Sequence, residues 1–147
     1  MPLCVAIRFE SDRFDYSSEL PEEYNAGNRF YGRDLAEFLA TNLTEQGYAA
    51  DFLDEDWGWL VFTKRGTAPE FELAIYNLAA HGEGGRLGVA VGEWGLWIRS
   101  YEKRKLLGFV PRRIEVQVPQ QVLLAIQAAV NSSGSQAESW QDGPSHT

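Results

Sequence analysis

Two strands and the turn between them occupy residues 57–78, which read WGWLVFTKRGTAPEFELAIYNL. Residues 57–64 and 71–78 are rich in aromatic and branched side chains, which favour strands. Residues 65–69 contain the glycine and proline that are typical of a turn. The pattern therefore predicts a β-hairpin, and a hairpin joins antiparallel neighbours.

Further strands are predicted on either side of this hairpin. Apolar residues alternate with polar or small ones, as they do in a strand with one buried face. We expect a first strand over residues 3–9, a second hairpin made of residues 87–91 and 94–99 around Gly92-Glu93, and a last strand over residues 113–118.

Two helices complete the predicted elements. Between residues 32 and 46, Leu35, Leu39 and Leu43 recur at helical spacing, and Gly47 follows in the position that often ends a helix. A second helix is expected from Pro119 to about Val130. The resulting order is β-α-β-β-β-β-β-α, which predicts an α+β fold: a mostly antiparallel sheet of about five or six strands with two helices packed on one face.

Length and composition predict one domain and a tail. Residues 1–131 are long enough to form one core, whereas residues 132–147 lack apolar periodicity and are expected to be disordered. The single cysteine, Cys4, excludes an intramolecular disulfide and favours a reducing compartment. The start of the chain is too short and too charged for a signal peptide, and no apolar run approaches the roughly 20 residues that span a bilayer. We expect a cytoplasmic protein that does not bind membranes.

Charge is distributed unevenly along the chain, whose net charge is −8. Residues 1–56 hold 13 acids against 4 bases, and residues 99–113 hold 6 bases against 1 acid. The acidic half argues against nucleic acid as a partner, because nucleic-acid affinity depends on clustered bases. The basic segment is interpreted as a solvated hairpin turn. An acidic protein is suited to a basic protein partner.

Three acids run directly into two tryptophans at residues 54–59, DEDWGW. These acids could form a solvated turn, a partner-facing patch, or a metal or catalytic site. The run lacks the spacing of an EF-hand, and neighbouring carboxylates on an extended segment point to opposite faces. The chain also lacks the Cys and His ligands of a zinc site. We therefore predict no catalytic residues, no metal site and no cofactor.

Both faces of the strand at residues 57–64 are apolar. Leu60 and Phe62 point one way, while Trp57, Trp59 and Val61 point the other. If the helices cover Leu60 and Phe62, the tryptophans lie on the far face. The remaining contributors to that face would be the aromatic residues Tyr76 and Trp97 and the small residues Cys4, Ala6, Gly88 and Ala90, which together could form a groove. The alternative is that the segment at residues 10–28 covers this face and the indoles form a second small core.

One part of the chain resembles a known group of proteins. The block FYGRDLAEFL at residues 30–39, followed by Gly47-Tyr48 and by EDWGW at residues 55–59, resembles small bacterial α+β proteins, some of which are similar to the immunity proteins encoded beside polymorphic toxins. The resemblance covers about residues 30–63. It implies a protein that binds and neutralises another protein.

The sequence thus predicts a non-enzymatic interaction domain that occludes a basic partner protein. The expected partner-binding residues are Asp54, Glu55, Asp56, Trp57, Trp59, Tyr76 and Trp97. Aromatic residues would anchor the partner, and acids would accelerate its association. The alternative is a small-ligand or sensory domain that uses the same aromatic groove as a pocket. A hydrolase with Asp and Glu as catalytic groups is the third possibility.

Overall fold

The computed structural model describes residues 3–14, 32–55, 58–64, 69–81, 91–106 and 110–139. These residues form seven strands and two helices in the order β-α-β-β-β-β-β-α-β. The elements are β1 (Val5–Ser11), α1 (Arg33–Glu45), β2 (Ala50–Glu55), β3 (Gly58–Thr63), β4 (Glu70–His81), β5 (Val91–Leu106), β6 (Val110–Val116), α2 (Gln120–Ser132) and β7 (Glu138–Ser139).

All described strand pairs are antiparallel. The sheet has the order β2-β3-β4-β5-β1-β7, and β6 pairs with the part of β5 that extends past β1. The predicted α+β class and its order of strands and helices are confirmed. The hairpin predicted at residues 57–78 is present as β3 and β4.

The predicted hairpin around Gly92-Glu93 is wrong. Both residues lie inside β5, where Gly92 pairs with Ser11 on one side and with Ala80 on the other. The glycine serves as a strand residue because ladders on both sides satisfy its backbone groups. Of the strand predicted at residues 87–91, only Val91 is among the described residues, and it begins β5.

Several element boundaries also differ from the sequence prediction. β2 was not predicted as a strand, and β6 begins at Val110 rather than at residue 113. The boundary of the predicted tail is corrected as well, since α2 runs to Ser132 and β7 pairs with β1 through Ile7↔Ser139 and Arg8↔Glu138. Residues 140–147 of the predicted tail lie outside the described residues. So do residues 15–28 of the segment that was a candidate to cover the far face of the sheet.

One hydrophobic core joins both helices to one face of the sheet, which we call the inner face. α1 buries Leu35, Leu39 and Leu43, as its periodicity predicts, and it ends at Glu45, two residues before Gly47, whose φ is +106°. α2 buries Val122, Ile126 and Val130. The strand residues of the core are Ile7, Phe9, Trp59, Val61, Phe71, Leu73, Ile75, Trp94, Leu96 and Ile98.

The face predicted for Trp59 is therefore wrong. Trp59 is 3% exposed and Val61 is 1% exposed, and both lie in the core beneath the helices. Leu60 and Phe62 lie on the opposite side of the sheet and are half-buried. Register decides this outcome, because Trp59 is paired with Ile75 and Val61 with Leu73, both of which are core residues of β4.

Candidate binding surface on the outer face of the sheet

The outer face of the sheet, opposite the helices, is organised in rows that cross the strands. Side chains in one row come from residues that are paired in register, and they point to the same side. The central row contains Leu53, Leu60, Ala74, Trp97 and Ala6, from β2, β3, β4, β5 and β1 in turn. This row is apolar from end to end.

The row on one side of the central row contains Tyr76, whose partner on β5 is Gly95. Gly95 is in turn paired with Arg8 on β1. The row on the other side contains Asp51, Phe62, Glu72 and Arg99. Charged groups therefore flank the apolar row without interrupting it.

Large aromatic side chains on this face stand beside very small ones. Trp97 lies between Ala74 and Ala6 on its two neighbouring strands, and Tyr76 faces Gly95. Because alanine and glycine leave space above the sheet, the rings stand higher than their surroundings. The predicted combination of small residues with Tyr76 and Trp97 is thus present for Ala6, while Gly88 and Ala90 lie outside the described residues.

A concavity of about 230 Å³ lies in this relief. Its lining residues are Leu60, Glu72, Ala74, Tyr76, Trp97 and Arg99. Ala74 forms the floor, because each of the others is its neighbour along β4, its register partner, or the residue next to that partner on the same face. The walls thus combine an aliphatic side chain, two aromatic rings, one carboxylate and one guanidinium group.

Polar groups beside the concavity are held by one another. The Arg99 guanidinium carbon lies 4.2 Å from the centre of the Trp97 ring, within the range of a cation–π contact. Arg99 also forms a side-chain hydrogen bond to Tyr101. The Tyr101 hydroxyl donates to Glu72 Oε1 at 2.7 Å. This chain of contacts fixes the orientation of Arg99 and Glu72 at the wall of the concavity.

Titration behaviour follows from these contacts. Partial burial and the hydrogen bond to Glu72 raise the pKa of Tyr101 to about 12. Burial raises the pKa of Tyr76, although the positive charge of Arg99 opposes the change. Burial works against the charged form of Arg99, yet the hydrogen bond to Tyr101 and nearby negative charge raise its pKa. The tyrosines therefore remain neutral and Arg99 remains charged at neutral pH.

The structure separates the residues that the sequence grouped into one binding patch. Tyr76 and Trp97 lie together at the concavity. Trp59 belongs to the core, so its proposed role as an anchor is wrong. Asp54 is paired with Trp59 and Glu55 with Gly58, so the two carboxylates point to opposite sides of β2. Asp56 and Trp57 lie outside the described residues.

Sequence reasoning missed four residues of the concavity: Leu60, Glu72, Ala74 and Arg99. Leu60 was assigned to the helical face, and Arg99 to a solvated hairpin. A signal was present in β4, where Glu72, Ala74 and Tyr76 alternate with Phe71, Leu73 and Ile75 and so place Ala74 beside Tyr76.

A second concavity, of about 380 Å³, lies against the exposed side of α1. It is lined by Asp34, Glu37, Phe38, Thr41, Asn42 and Glu45. Its three carboxylates stand on the helix that packs beside β2, whose Asp51 and Asp54 are also exposed. This part of the surface is acidic, whereas the outer face carries both signs of charge.

The described residues contain neither a metal-binding cluster nor a helix suited to span a membrane. Within this part of the chain, no group of three or more His, Cys, Asp and Glu side chains is placed to hold a metal ion. Among the described helices, none is long and apolar enough to cross a membrane.

Comparison with known proteins gives no relative. The chain matches no protein-family model, and neither the curated proteins nor the solved structures provide a match.

Proposed function

We propose that this protein is a non-enzymatic interaction domain that binds a basic partner protein and occludes part of its surface. The proposal is supported chiefly by the concavity above Ala74, where Tyr76 and Trp97 flank a small, mostly apolar space. Tyrosine and tryptophan are enriched among the residues that contribute most to protein binding. A side chain of the partner would insert between the two rings.

The size of the concavity favours a protein over a small ligand. Pockets for drug-sized ligands usually measure about 300–1,000 Å³ and enclose most of the ligand. The space above Ala74 measures about 230 Å³ and lies on a sheet face rather than in a cleft. It therefore suits one inserted side chain, with the surrounding rows forming the rest of the contact. A small-ligand or sensory domain remains the second candidate.

Charge supports a basic partner. Glu72 lies at the wall of the concavity, and the exposed Asp51 of β2 stands in the same row of the outer face. Charges at the rim of an interface mainly accelerate association and lose their effect as salt rises. We assign this steering role to Glu55, which lies on the outer side of β2, and the anchoring role to Tyr76 and Trp97.

An immunity-type protein is the specific form of this proposal. Such a protein would act in the cytoplasm by covering a functional surface of a toxin, without any chemistry of its own. The resemblance over residues 30–63 and the net charge of −8 both support this form.

The test is to fill the concavity. Ala74→Trp places a large ring on its floor without changing charge, whereas Ala74→Ser leaves the space nearly intact. Partner proteins would first be captured with the unaltered protein from cells that encode it, and binding would then be measured by interferometry. We expect Ala74→Trp to weaken binding by about 2 kcal/mol or more, as loss of a central anchor does, and Ala74→Ser to have little effect.

Thermal melts of both variants would show whether each one folds. A folded Ala74→Trp protein that binds the partner with full affinity would contradict the proposed surface. A small molecule that copurifies with the protein, and that only Ala74→Trp fails to retain, would favour the second candidate instead.

A further inference from the structure

The strand β2 forms one edge of the described sheet. It pairs with β3 along its whole length, and among the described strands it has no neighbour on its other side. Asp51, Leu53 and Asp54 are exposed, and Leu53 keeps 36% of its surface in contact with solvent. An edge strand presents a row of backbone N–H and C=O groups with which another strand can pair.

Hydrogen bonds to Ala50 show which backbone groups of β2 face this edge. The Ala50 N–H donates to the hydroxyl of Thr44 on α1 at 3.3 Å, and that hydroxyl donates to the Ala50 carbonyl at 3.2 Å. Ala50 therefore does not exchange hydrogen bonds with Thr63, its register partner on β3. In an antiparallel strand, the backbone groups of every second residue point to the same side. The backbone groups of Phe52 and Asp54 thus also face the edge.

Local hydrogen bonds leave part of the edge open to an added strand. The Phe52 N–H donates to Asp51 Oδ1, a side-chain oxygen of the preceding residue, at 2.8 Å. A carbonyl oxygen of an added strand is an equivalent acceptor, and the exchange would release the Asp51 carboxylate for contact with a base. Because Thr44 holds Ala50, pairing with an added strand centres on Phe52 and Asp54.

The outer side of β2 specifies the side chains of such a strand. Asp51, Leu53 and Glu55 lie on this side, so acid, apolar residue and acid follow one another at every second position. Directly opposed side chains on neighbouring strands attract each other when their charges are opposite or when both are apolar. The complementary strand therefore carries base, apolar residue and base at alternate positions. This pattern is the same in both chain directions.

The same acids disfavour a second copy of the chain at this edge. If two β2 strands paired with Leu53 opposite Leu53, Asp51 of each copy would stand opposite Glu55 of the other. Like charges that face each other across a ladder destabilise the pairing. The charge of β2 thus selects a basic strand and opposes self-association.

The edge is continuous with the concavity above Ala74. Leu53 begins the central row of the outer face, and Leu60 stands between it and Ala74. β2 lies two strand spacings, roughly 10 Å, from β4. One partner can therefore contact the edge and insert a side chain into the concavity at the same time.

We propose that β2 accepts an extended, basic segment of the partner as an additional strand of the sheet. The inference rests on the proposed function, because this segment belongs to the same basic partner. Main-chain hydrogen bonds to Phe52 and Asp54 supply affinity, and the alternation of base, apolar residue and base supplies selectivity.

A synthetic peptide tests the selectivity. The peptide TKTLTKT, labelled with a fluorophore, carries the complementary pattern, and TETLTET replaces both bases with acids. Binding of each to the full chain would be measured by fluorescence anisotropy at about 0.1 M salt. We expect the basic peptide to bind about tenfold more tightly or better, because two attractive pairs become repulsive. Equal binding, or no binding of the basic peptide, would overturn the proposal.

Backbone methylation separates strand pairing from attraction by charge alone. Two further peptides carry N-methyl groups either on the threonines or on the lysines and leucine of TKTLTKT. Only one of these sets of N–H groups faces β2, since alternate residues of a strand point their N–H groups to opposite sides. We expect one methylated peptide to bind about tenfold more weakly than the other. Similar affinities for the two would overturn the proposal.

Matched variants of the protein locate the edge. Asp54→Pro removes the edge-facing N–H together with the charge, whereas Asp54→Ala removes the charge alone. Proline is accepted in an edge strand where its missing N–H faces away from the sheet. We expect TKTLTKT to bind Asp54→Pro about fivefold more weakly than Asp54→Ala. Thermal melts show whether both variants fold, and equal affinity of two folded variants would contradict pairing at Asp54.

Ala74→Trp distinguishes the edge from the concavity. The substitution leaves β2 unchanged, so we expect TKTLTKT to bind this variant as it binds the unaltered protein. Loss of the peptide from Ala74→Trp would place the peptide in the concavity and overturn the assignment to β2. Full affinity of the captured partner for Ala74→Trp would instead contradict the proposed function, whatever the peptide does.

Discussion

The two faces of the sheet are built from the same strands but differ in the size and burial of their side chains. On β4, the inner residues Phe71, Leu73 and Ile75 are at most 1% exposed. Their neighbours on the outer face, Ala74 and Tyr76, are half-buried. The large inner side chains pack into one core, whereas the outer rings of Tyr76 and Trp97 are paired with glycine and alanine. The inner face is packed without gaps by large side chains, whereas the outer face keeps a concavity beside its aromatic rings.

This difference indicates where function is to be sought. Burial of apolar area stabilises a fold by roughly 25 cal/mol per Å², so a surface that serves only stability gains from large side chains throughout. The central row buries less apolar area than large side chains would, because two of its positions are the alanines Ala74 and Ala6. The space left beside the rings of Tyr76 and Trp97 can accept a side chain of a partner.

A large stability effect is expected on the helix that covers the inner face. Leu39 is completely buried, so Leu39→Ala should lower the free energy of unfolding by about 2–5 kcal/mol. Glu37 is exposed on the same helix, and Glu37→Ala should change it little. Urea unfolding of the two variants checks this contrast. Similar losses would contradict the orientation of α1.

A glycine of β3 tests whether the close approach of the β3 and β4 backbones excludes a side chain at that position. Gly58 has φ +152°, and a Cβ atom there would lie 2.9 Å from the carbonyl oxygen of Ile75. Gly58→Ala should cost about 1–3 kcal/mol, because neither the conformation nor the clash is easily relieved.

Gly47→Ala is the matched control, since Gly47 also has positive φ but nothing lies within 4 Å of its added Cβ. Thermal melts should therefore show a greater loss for Gly58→Ala. A greater loss for Gly47→Ala would mean that the close approach of β3 to β4 is not restrictive.

Sequence patterns predicted the parts of this fold in which one side of an element is clearly apolar. α1 is such a case, with Leu35, Leu39 and Leu43 against Asp34 and Glu37. β3 is not, because Trp59 and Leu60 are both apolar and alternation cannot say which is buried. Its face is set by pairing with β4, which is a relation between distant residues.

Two further failures have the same origin. The sequence ADFLDE of β2 is acidic and lacks a clear apolar alternation, and it forms a strand because β3 supplies a partner. Gly92-Glu93 resembles a turn locally, yet it is held by strands on both sides. At the concavity, residue type alone predicted Tyr76 and Trp97. Ala74 forms the floor only because pairing places it between Leu60 and Trp97, and the sequence does not show that pairing.

The strand β7 lies at the margin of both faces, and its removal should have a modest effect. Truncation after Asn131 removes the two register pairs with β1 and the hydrogen bond from Ser135 Oγ to the Glu10 carbonyl. We expect a loss of about 2–3 kcal/mol, since each such bond contributes about 1 kcal/mol. Differential scanning calorimetry, with Ser135→Ala as a smaller change, checks it. An unchanged melt would mean that β7 adds no stability.

A pH-dependent effect is expected for Tyr101 on the outer face. Its pKa is raised from 10.0 to about 12 in the folded protein, so the folded state holds its proton longer than the unfolded state does. Its contribution to stability is therefore complete below pH 10.0 and is lost as the pH rises through about 12. Tyr101→Phe lacks this contribution. Its stability relative to the unaltered protein should rise across that window, and a constant difference in urea unfolding would contradict the assignment.

Paired substitution of two tryptophans tests the contrast between the faces most directly. Trp59→Ala opens a hole in the core and should lower the free energy of unfolding by about 3–5 kcal/mol. Trp97→Ala removes a half-buried ring and its contact with Arg99, and should cost about 1 kcal/mol while abolishing partner binding. Circular-dichroism melts of the two proteins, measured side by side, decide the matter. A greater loss of stability for Trp97→Ala than for Trp59→Ala would show that the outer face is a second core, and would contradict this account.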